Sequence, residues 1–450
     1  MITRKSSILL LLLLTSCAVR SKYDRSYVSE GIEDRTDYQL GVTAEPGELN
    51  LPGDVSLSDG LSLDEAVAIA LWNNAQFQAD LAEIGIARAA LAEAKFFSNP
   101  VFSLLFPVGP KGLEGKLNLP VAELWQRPHQ VAAARRDAER IAERLVQHGL
   151  GLIRDVQSTY AGLLSAEERA VDAREYARIS SEIAEIARAR YRAGDISELE
   201  SSTAIVDAFR AAGSAAGASH EASVMRFRLN ELLGLGSDPP SFELVSPPVY
   251  LPADVEEDEL LEAALAARPD LRAHELAIEE AGKRVGLEYS QIIDLIGIID
   301  SKDKGEPDLT TGPGFQVEIP ILNQNQGGIS LAKAELERAA RIYAAARHGI
   351  ILEVQEARAG YELAREQYEL WHSGIVPSLE RAADQAQSAY AAGDESYLFV
   401  LTSMRDLLDA RLRRSELAAG VGKAIAQLNY SAGKRIVPSD VPALDDGREY

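Results

Sequence analysis

An internal duplication is the feature that most constrains the fold of this chain. Segment 191–199, Tyr-Arg-Ala-Gly-Asp-Ile-Ser-Glu-Leu, recurs at 390–398 as Tyr-Ala-Ala-Gly-Asp-Glu-Ser-Tyr-Leu, with six of nine positions identical at an offset of 199. Shorter matches flank it, such as Pro120-Val with Pro320-Ile. Such self-similarity implies two copies of one supersecondary unit. We expect these repeats at 61–235 and 256–433, joined by a Pro-rich linker at 236–255.

Each repeat is predicted to be mainly helical. A first helix (62–98, then 256–288) precedes two short strand-like segments and a very long helix (122–192, then 324–391). At 1.5 Å per residue, each long helix would measure on the order of 100 Å. In the second long helix apolar residues follow heptad spacing, which calls for helix partners: Ala332, Leu336, Ala339, Tyr343, Ala346 and Ile350. Shorter helices at 197–234 and 397–432 complete the repeats.

The duplicated Tyr-x-Ala-Gly segment predicts a tight turn between each long helix and the shorter helix after it. Gly194 and Gly393 lie where a helix C-cap favours glycine. Ser197 and Ser396 follow at a position suited to an N-cap. Each repeat should therefore end in a helical hairpin tip.

Four short segments predict strands. Segments 112–121 and 314–321 alternate apolar and polar residues, which is typical of transmembrane strands and also of a half-buried soluble hairpin. Their partners, 101–108 and 287–299, are less regular, and the first hairpin is short against the ~9 to 11 residues of a spanning strand.

The number of strands predicts an oligomer. One chain supplies four strands, whereas closed membrane barrels start at about eight and open edges are not tolerated in lipid. Three copies would supply twelve strands and a ring of long helices. The predicted fold class is mainly α: a long α-helical barrel plus a small twelve-stranded membrane barrel, both closed in a homotrimer.

The amino terminus predicts export and lipidation. Arg4 and Lys5 precede seven apolar residues, too few for the ~20 of a spanning helix, and the sequence Leu-Thr-Ser-Cys17 follows. We interpret 1–16 as a lipoprotein signal peptide and Cys17, the only cysteine, as the acylated residue. Ala18 favours release to the outer membrane. Segments 17–60 and 434–450 are predicted to be an extended acylated arm and a tail.

Composition argues against other classes of function. The net charge of −23 disfavours nucleic acid as a partner. Six scattered histidines show no ligand spacing, so no metal site and no cofactor are expected. The acid pairs Glu353/Glu356 and Asp406/Asp409 are interpreted as solvated helix faces or tunnel lining. Without a phosphate loop or a Ser-His-Asp arrangement, no catalytic residues and no enzyme activity are predicted.

Several segments resemble the TolC-type outer-membrane efflux family. The matching pieces are Leu63-Asp-Glu-Ala with Ala70-Leu-x-x-Asn74, Asn99-Pro, Ala264-Leu-Ala-Ala-Arg-Pro-Asp-Leu, Pro320-Ile-Leu-Asn-Gln-Asn-Gln-Gly and both tips. The resemblance implies a passive trimeric conduit for small molecules, drugs or metal ions, crossing the periplasm and outer membrane. It also implies a periplasmic adaptor (membrane fusion) protein and an inner-membrane transporter as partners.

The resemblance also assigns roles to positions of this chain. The adaptor-contact positions are those at the two tips: Arg190, Gly194, Asp195, Ser197, Leu199, Gly393, Asp394, Ser396 and Leu398. Simple helix capping would equally explain the Gly and Ser. Tyr390, Phe399 and Thr402 are candidates for the lower aperture, the last two replacing acidic residues of the family's best-known member. That replacement predicts an aperture closed by apolar packing.

Other functions fit part of the pattern. A lipid-anchored coiled-coil protein without a pore would share the acylated cysteine and the heptads. A type I protein secretion channel would share the whole architecture. A soluble adaptor subunit would need more β structure and a single helical hairpin. The sequence favours export of drugs or metal ions over protein secretion.

Overall fold

A computed structural model describes most of the chain as two compact units, each of which combines segments of both repeats. Unit 1 comprises Met1–Gly31, Asp80–Leu145 and Pro269–Ala346; unit 2 comprises Ile32–Ala79, Val146–Arg268 and Arg347–Tyr450. The described residues are 21–41, 49–53, 55, 57, 60–106, 112–236, 239–246, 249, 251, 256–303, 309–392 and 397–436.

Within these ranges the fold is mainly helical, with one antiparallel four-stranded sheet in the order β1-β2-β3-β4. The elements are α1 (Arg25–Thr36), α2 (Leu63–Asn73), α3 (Ala75–Leu81), α4 (Glu83–Lys95), β1 (Val101–Leu105), β2 (Glu114–Pro120), α5 (Glu123–Ala193), α6 (Glu198–Leu232), α7 (Glu257–Ala267), α8 (Pro269–Ser290), β3 (Leu295–Asp303), β4 (Leu309–Val317), α9 (Gln326–Glu369), a π-helical turn (Leu370–Ile375), α10 (Val376–Ala392) and α11 (Tyr397–Ala432). The predictions of four strands and of the first long helix are confirmed, whereas the second long helix, predicted at 324–391, is interrupted by the π-helical turn.

In unit 1 the helices follow the same order as the strands. Polar contacts join neighbours: Arg144 on α5 pairs with Glu83 on α4, Arg136 on α5 with Glu279 on α8 at 2.8 Å, and Tyr343 on α9 with Glu275 on α8 at 3.4 Å. The helix order is therefore α4-α5-α8-α9 beside a sheet ordered β1-β2-β3-β4. Each strand thus continues into the helix of the same rank.

Unit 2 packs α6, α10 and α11 around the carboxy-terminal part of α5. Arg169 on α5 pairs with Glu221 of α6 at 2.6 Å and lies 3.6 Å from Glu416 of α11. Arg411 of α11 pairs with Glu380 of α10 at 2.9 Å. The fully buried side chains of this unit include Tyr160, Leu163, Leu229 and Leu428.

The predicted first helices, 62–98 and 256–288, are wrong as single helices. The first breaks after Asn73 and again at Ala82. The amide oxygen of Asn74 accepts a hydrogen bond from the Phe77 N–H (2.9 Å), so that Asn74 caps the following helix. The second breaks at Arg268, which adopts φ −69° and ψ 122° because the following Pro269 disfavours helical backbone there.

Two strand predictions need correction, whereas β1 and β2 lie within their predicted segments. The segment 287–299 is not one strand, since α8 runs to Ser290 and β3 begins at Leu295. Strand β4 covers Leu309–Val317 and ends before the predicted end at 321. Pro313 lies inside β4, which is possible because β4 is an edge strand of the described sheet and the missing N–H points away from it.

The extended arm predicted for 17–60 is wrong over α1. The Asp24 carboxylate accepts hydrogen bonds from the N–H groups of Ser26 (3.0 Å) and Tyr27 (3.3 Å), which caps the helix start. Val28 and Ile32, one helical turn apart, are completely buried. Burial of this short apolar stripe explains why a segment with weak helical periodicity forms a helix.

Candidate functional surfaces: a two-faced sheet and a helical hairpin tip

The sheet of unit 1 has one mainly apolar face and one mixed, more polar face. Directly opposed residues on paired strands share a face. On the apolar face Phe102, Leu117, Ile299 and Pro313 form one row, and Leu119, Gly297 and Phe315 form the next. The other face carries Glu114, Lys116, Asp300 and Lys302 together with Ile296 and Ile298. The register therefore places the apolar residues of both predicted alternating segments on the same face of the sheet.

The apolar face is uncovered in the single chain. Phe102 is 65% exposed and Phe315 is 75% exposed, with Phe106 at 74% just beyond β1. On the other face the Lys302 ammonium lies 3.5 Å from Asp300 and 3.9 Å from Glu114. Contiguous exposed apolar surface of this kind marks contact with a membrane or another protein.

Both edges of the sheet are open among the described strands. β1 pairs with β2 alone, and β4 pairs with β3 alone. The outward backbone groups of β1 and β4 are thus available to another chain.

The first hairpin tip, in unit 2, is a doubly capped turn. Gly194 has φ +86°, and the N–H of Asp195 donates to the carbonyl of Arg190 (2.9 Å), which ends α5 as a Schellman-type cap does. The Ser197 hydroxyl then accepts from the Glu200 N–H (3.2 Å), while the Glu200 carboxylate accepts from the Ser197 N–H (3.0 Å). This capping box starts α6 and confirms the predicted turn.

The predicted contact residues of this tip all lie on its surface. Arg190, Gly194, Asp195 and Ser197 are exposed, and Leu199 is 77% exposed. Behind them Ile183, Ala187 and Ala204 form a small apolar core, against which Ile179, Ile196 and Leu401 pack. Leu199 takes no part in that core.

The second tip is described only at its flanks. Gly393, Asp394 and Ser396 lie outside the described residues, as do the side chains of Tyr390 and Leu398. Phe399 is 50% exposed and Thr402 is exposed, both on the first two turns of α11. Cys17 also lies outside the described residues.

The structure shows a buried polar network in unit 1 that the sequence reasoning missed. Hydroxyls of Tyr23 and Tyr27 on the α1 segment donate to the carboxylates of Glu139 (2.6 Å) and Glu143 (2.5 Å) on α5. Burial pushes the pKa of Glu139 upward, but hydrogen bonds from Tyr23 and Arg136 outweigh it and leave this pKa below its ordinary value. The pKa of Glu280 is raised, first by burial and then by Asp137. The matching i, i+4 spacing of the tyrosines and the glutamates was the available signal.

Neither a metal centre nor a membrane-spanning helix is found in the described part of the chain. No group of three or more His, Cys, Asp or Glu side chains there is arranged to hold a metal ion. Across the same residues, every helix is too short or too polar to cross a bilayer.

Comparisons with known proteins agree with this architecture. Residues 260–434 match the family model "Outer membrane efflux protein". The chain is 26% identical to the cobalt-zinc-cadmium resistance protein CzcC of Cupriavidus metallidurans, over 78% of this chain and 85% of that protein. Its fold is similar to that of CusC (TM-score 0.69, 20% identity, 89% of this chain and 99% of that one). It is also similar to the Campylobacter jejuni CmeC outer membrane channel (TM-score 0.69, 18% identity, 88% and 92%).

The sheet with its exposed apolar face, the long helices with their capped tip, and these matches all point to the same class of protein. The family model covers most of the second predicted repeat, 256–433. Residues 260–434 therefore resemble the outer membrane efflux protein family, and the fold is similar to that of CusC and of the CmeC outer membrane channel.

Proposed function

We propose that three copies of this chain form a lipid-anchored outer-membrane channel, through which an inner-membrane pump and its periplasmic adaptor export divalent metal ions. The chain itself performs no chemistry in this scheme and is a passive conduit. The observation that carries the proposal is the four-stranded sheet with an exposed apolar face and two open edges. Such a sheet is stable in lipid only when its edges are closed.

The matched order of strands and helices supports closure by identical copies. If β1 of one copy pairs with β4 of the next, α4 of the first copy meets α9 of the second. Both helices expose large apolar side chains that such a contact could cover: Ile86 (72% exposed) on α4 and Phe96 (64%) just after it, and Leu331 (62%) and Ile342 (40%) on α9. Three copies give twelve strands, above the minimum of about eight for a closed barrel.

The position of α1 supports anchoring through Cys17. Five residues separate Cys17 from Tyr23, and an extended chain of that length reaches roughly 20 Å. Tyr23 is bound to Glu139, which lies about 24 Å along α5 from its first residue at 1.5 Å per residue. Cys17 can therefore approach to within about 4 Å of the level at which α5 meets the sheet, and its acyl chains would extend beyond that level, where the membrane surface is proposed to lie.

The tips are the proposed contacts with the adaptor. In the first tip Arg190, Asp195 and Leu199 offer a basic, an acidic and an apolar group on one exposed turn. Gly194 and Ser197 hold that turn in shape. By the duplication, Gly393, Asp394, Ser396 and Leu398 are assigned the same role, and Tyr390, Phe399 and Thr402 the lower aperture.

The substrate class is proposed from the similarity to CzcC. CzcC is named for resistance to cobalt, zinc and cadmium, and this chain matches 85% of its length. A passive conduit takes its substrate from the pump, so the proposal for metal ions concerns the complete system.

Two measurements test the proposal. Native mass spectrometry of the detergent-extracted mature protein should give an acylated trimer, and planar bilayers should show discrete conductance steps. A soluble monomer without conductance would instead support a pore-free, lipid-anchored coiled coil. Deletion of the gene should sensitise cells to zinc, cobalt or cadmium. A trimeric channel whose deletion changes only drug tolerance or protein secretion would refute the proposed substrate class.

A further inference from the structure

Unit 2 contains a cavity that involves neither the sheet nor the hairpin tip. Its volume is about 340 Å³, which lies within the range of small-molecule sites. The cavity lies between α5 and α11, and the start of α2 and Val245 also contribute to its wall. Most of the described side chains along its middle are small or aliphatic, including Ala161, Leu164, Ala418 and Val421. The middle of the cavity therefore suits an apolar group.

The cavity is long enough for a hydrocarbon chain. Its lining on α5 runs from Gln157 to Glu168, which is about 16 Å at 1.5 Å per residue. Carbon–carbon bonds of about 1.5 Å at about 111° advance an extended chain by about 1.25 Å per carbon, so about 13 carbons span this length. At the Glu168 end, the Ser415 hydroxyl donates to the Glu168 carboxylate (2.7 Å). This end therefore needs no polar group from a ligand.

A smaller cavity of about 30 Å³ adjoins the other end. Four residues line both cavities, which therefore meet at Gln157, Ala426, Asn429 and Arg435. One water-sized group needs about 10 to 15 Å³, so the smaller cavity holds roughly two or three such groups. This size suits the two oxygens of a carboxylate better than the four oxygens of a phosphate.

The smaller cavity is cationic. Its described lining includes no carboxylate and three basic side chains, those of Arg154, Lys434 and Arg435. Arg154 is fixed over the Tyr430 ring (4.3 Å) and pairs with Asp155 (2.7 Å). Arg435 lies 3.8 Å from Asp37, whose side chain is 86% exposed, so solvent screens this pair. This end of the combined cavity therefore favours an anion.

The carboxylate of Asp64, which lines the larger cavity, is already bound. The Tyr38 hydroxyl lines the smaller cavity and donates to Asp64 (2.5 Å). Burial and the neighbouring Asp64 raise the pKa of Tyr38 above its ordinary value, so the hydroxyl keeps this proton at neutral pH. Asp64 therefore has a hydrogen-bond partner of its own and leaves the three cations to a ligand.

We infer that the two cavities together bind a single-chain fatty acid of about 12 to 14 carbons. The carboxylate accepts hydrogen bonds from Lys434 and Arg435 in the smaller cavity, and the chain runs between α5 and α11 towards Ser415. The chain removes apolar wall from water, and the carboxylate complements the three cations. This inference does not rest on the proposed channel.

Photo-crosslinking locates the chain and its direction. The mature protein in phosphatidylcholine nanodiscs is irradiated with two dodecanoate probes, one with a diazirine beside the carboxylate and one with a diazirine at the far end of the chain. The far-end probe should label 164–168 or 415–419, and the head-end probe should label 153–157 or 426–430. Mass spectrometry of the labelled peptides identifies the sites.

Competition identifies the head group. Dodecanoate should displace the far-end probe at least about tenfold better than dodecanol or dodecyltrimethylammonium, because hydrogen bonds to a charged group contribute a factor of this size. Lys434→Gln with Arg435→Gln should remove this advantage and leave competition by dodecanol unchanged, which also shows that the cavity keeps its shape. Lys423→Gln changes an exposed lysine of α11 outside both described linings, and as the matched control it should alter neither competitor.

Filling the cavity tests the position of the chain. Ala418→Leu adds three carbons inside the cavity, and at about fourfold per buried methylene it should weaken competition by dodecanoate roughly 60-fold. Ala424→Leu adds the same bulk to α11 outside the described lining and should leave competition unchanged.

Labels confined to the apolar face of the sheet, or cavity labels that Ala418→Leu leaves unchanged, would overturn the site. Equal competition by dodecanoate and dodecanol in the unmodified protein would overturn the role of the cations. Lysophosphatidylglycerol that displaces the probe better than dodecanoate would overturn the carboxylate head group in favour of a phosphate.

Discussion

The first hairpin tip allows capping and partner contact to be separated by mutation. Gly194→Ala forces a side chain into φ +86°, where no atom lies within 4 Å of the added Cβ, so the cost is backbone strain alone. Strain of that kind costs about 1 kcal/mol at the low end of its range. Ser197→Ala removes the capping hydroxyl, which costs about 1 kcal/mol. If the two effects add, the free energy of local opening of the tip falls by about 2 kcal/mol. The equilibrium constant for opening then rises roughly 30-fold.

Leu199→Ala should affect partner contact and leave the stability of the tip unchanged. Because Leu199 is 77% exposed, its truncation should change stability by less than about 0.5 kcal/mol. An apolar side chain buried by a partner at an interface is worth about 1 to 2 kcal/mol or more. We therefore expect Leu199→Ala to lower metal tolerance at unchanged protein level, without changing the stability of the tip.

Hydrogen exchange of the tip amides and growth at increasing zinc concentrations measure the two effects separately. Gly194→Ala and Ser197→Ala should speed exchange at 194–201, and Leu199→Ala should not. If Leu199→Ala leaves tolerance intact, the tip is a capped turn without an adaptor contact. If it speeds exchange as much as the capping variants, the assignment of Leu199 to the free surface is wrong.

Three further results are expected. Leu117→Arg, on the apolar face, should reduce trimer formation by about 2 to 4 kcal/mol as read by native gels, whereas Asn118→Arg on the other face should leave assembly intact and alter conductance. Arg268→Met should destabilise unit 2 by about 3 kcal/mol in chemical denaturation, because the Glu353 carboxylate, 2.6 Å away, loses its buried partner. Adding Glu353→Gln to this variant should restore most of the lost stability. The pKa of Glu139 lies below its ordinary value, so its contribution to stability is present at neutral pH and is lost as the pH falls through its folded pKa; Glu139→Gln should remove that part of the acid sensitivity of thermal unfolding.

Periodic and capping signals predicted the elements that local physics determines. The end of α5 at Ala193 follows from Gly194, which has no side chain and can adopt a positive φ. The start of α6 at Glu198 follows from Ser197, whose hydroxyl caps the helix. The strand alternation around Leu117 gave the correct face because side-chain direction in a strand has a period of two.

Elements that depend on tertiary partners were predicted less well. Helix α1 is held by Val28 and Ile32 in buried positions and by tyrosine hydroxyls bound to α5, none of which short-range periodicity reveals. The break at Arg268 and the π-helical turn before Pro377 each had a proline as a visible signal. Proline indicates where a helix is disturbed, but the surrounding packing decides whether the helix ends or bends.

The two repeats use different side chains to join the break in their first helices to the end of their last helix. At the break between the first helices of each repeat, a side chain binds the carboxy-terminal end of the returning helix. Asn74 donates to the Leu232 carbonyl at the end of α6 (3.0 Å), and Arg268 donates to the Ser431 carbonyl near the end of α11 (3.2 Å). A helix carboxy terminus carries partial negative charge, so the cation interacts more strongly than the amide.

The difference between Asn74 and Arg268 agrees with the difference between the long helices. The first repeat has an uninterrupted long helix, and its junction carries a neutral hydrogen bond from Asn74. The second repeat contains the π-helical turn, and its junction is fixed by a nearly fully buried guanidinium that also binds Glu353. An Arg268→Asn variant, which copies the side chain of the first junction, should lower the denaturant midpoint of unit 2, because a shorter neutral amide leaves the Glu353 carboxylate without its buried cationic partner. An unchanged midpoint would show that the second junction does not depend on the charge of Arg268.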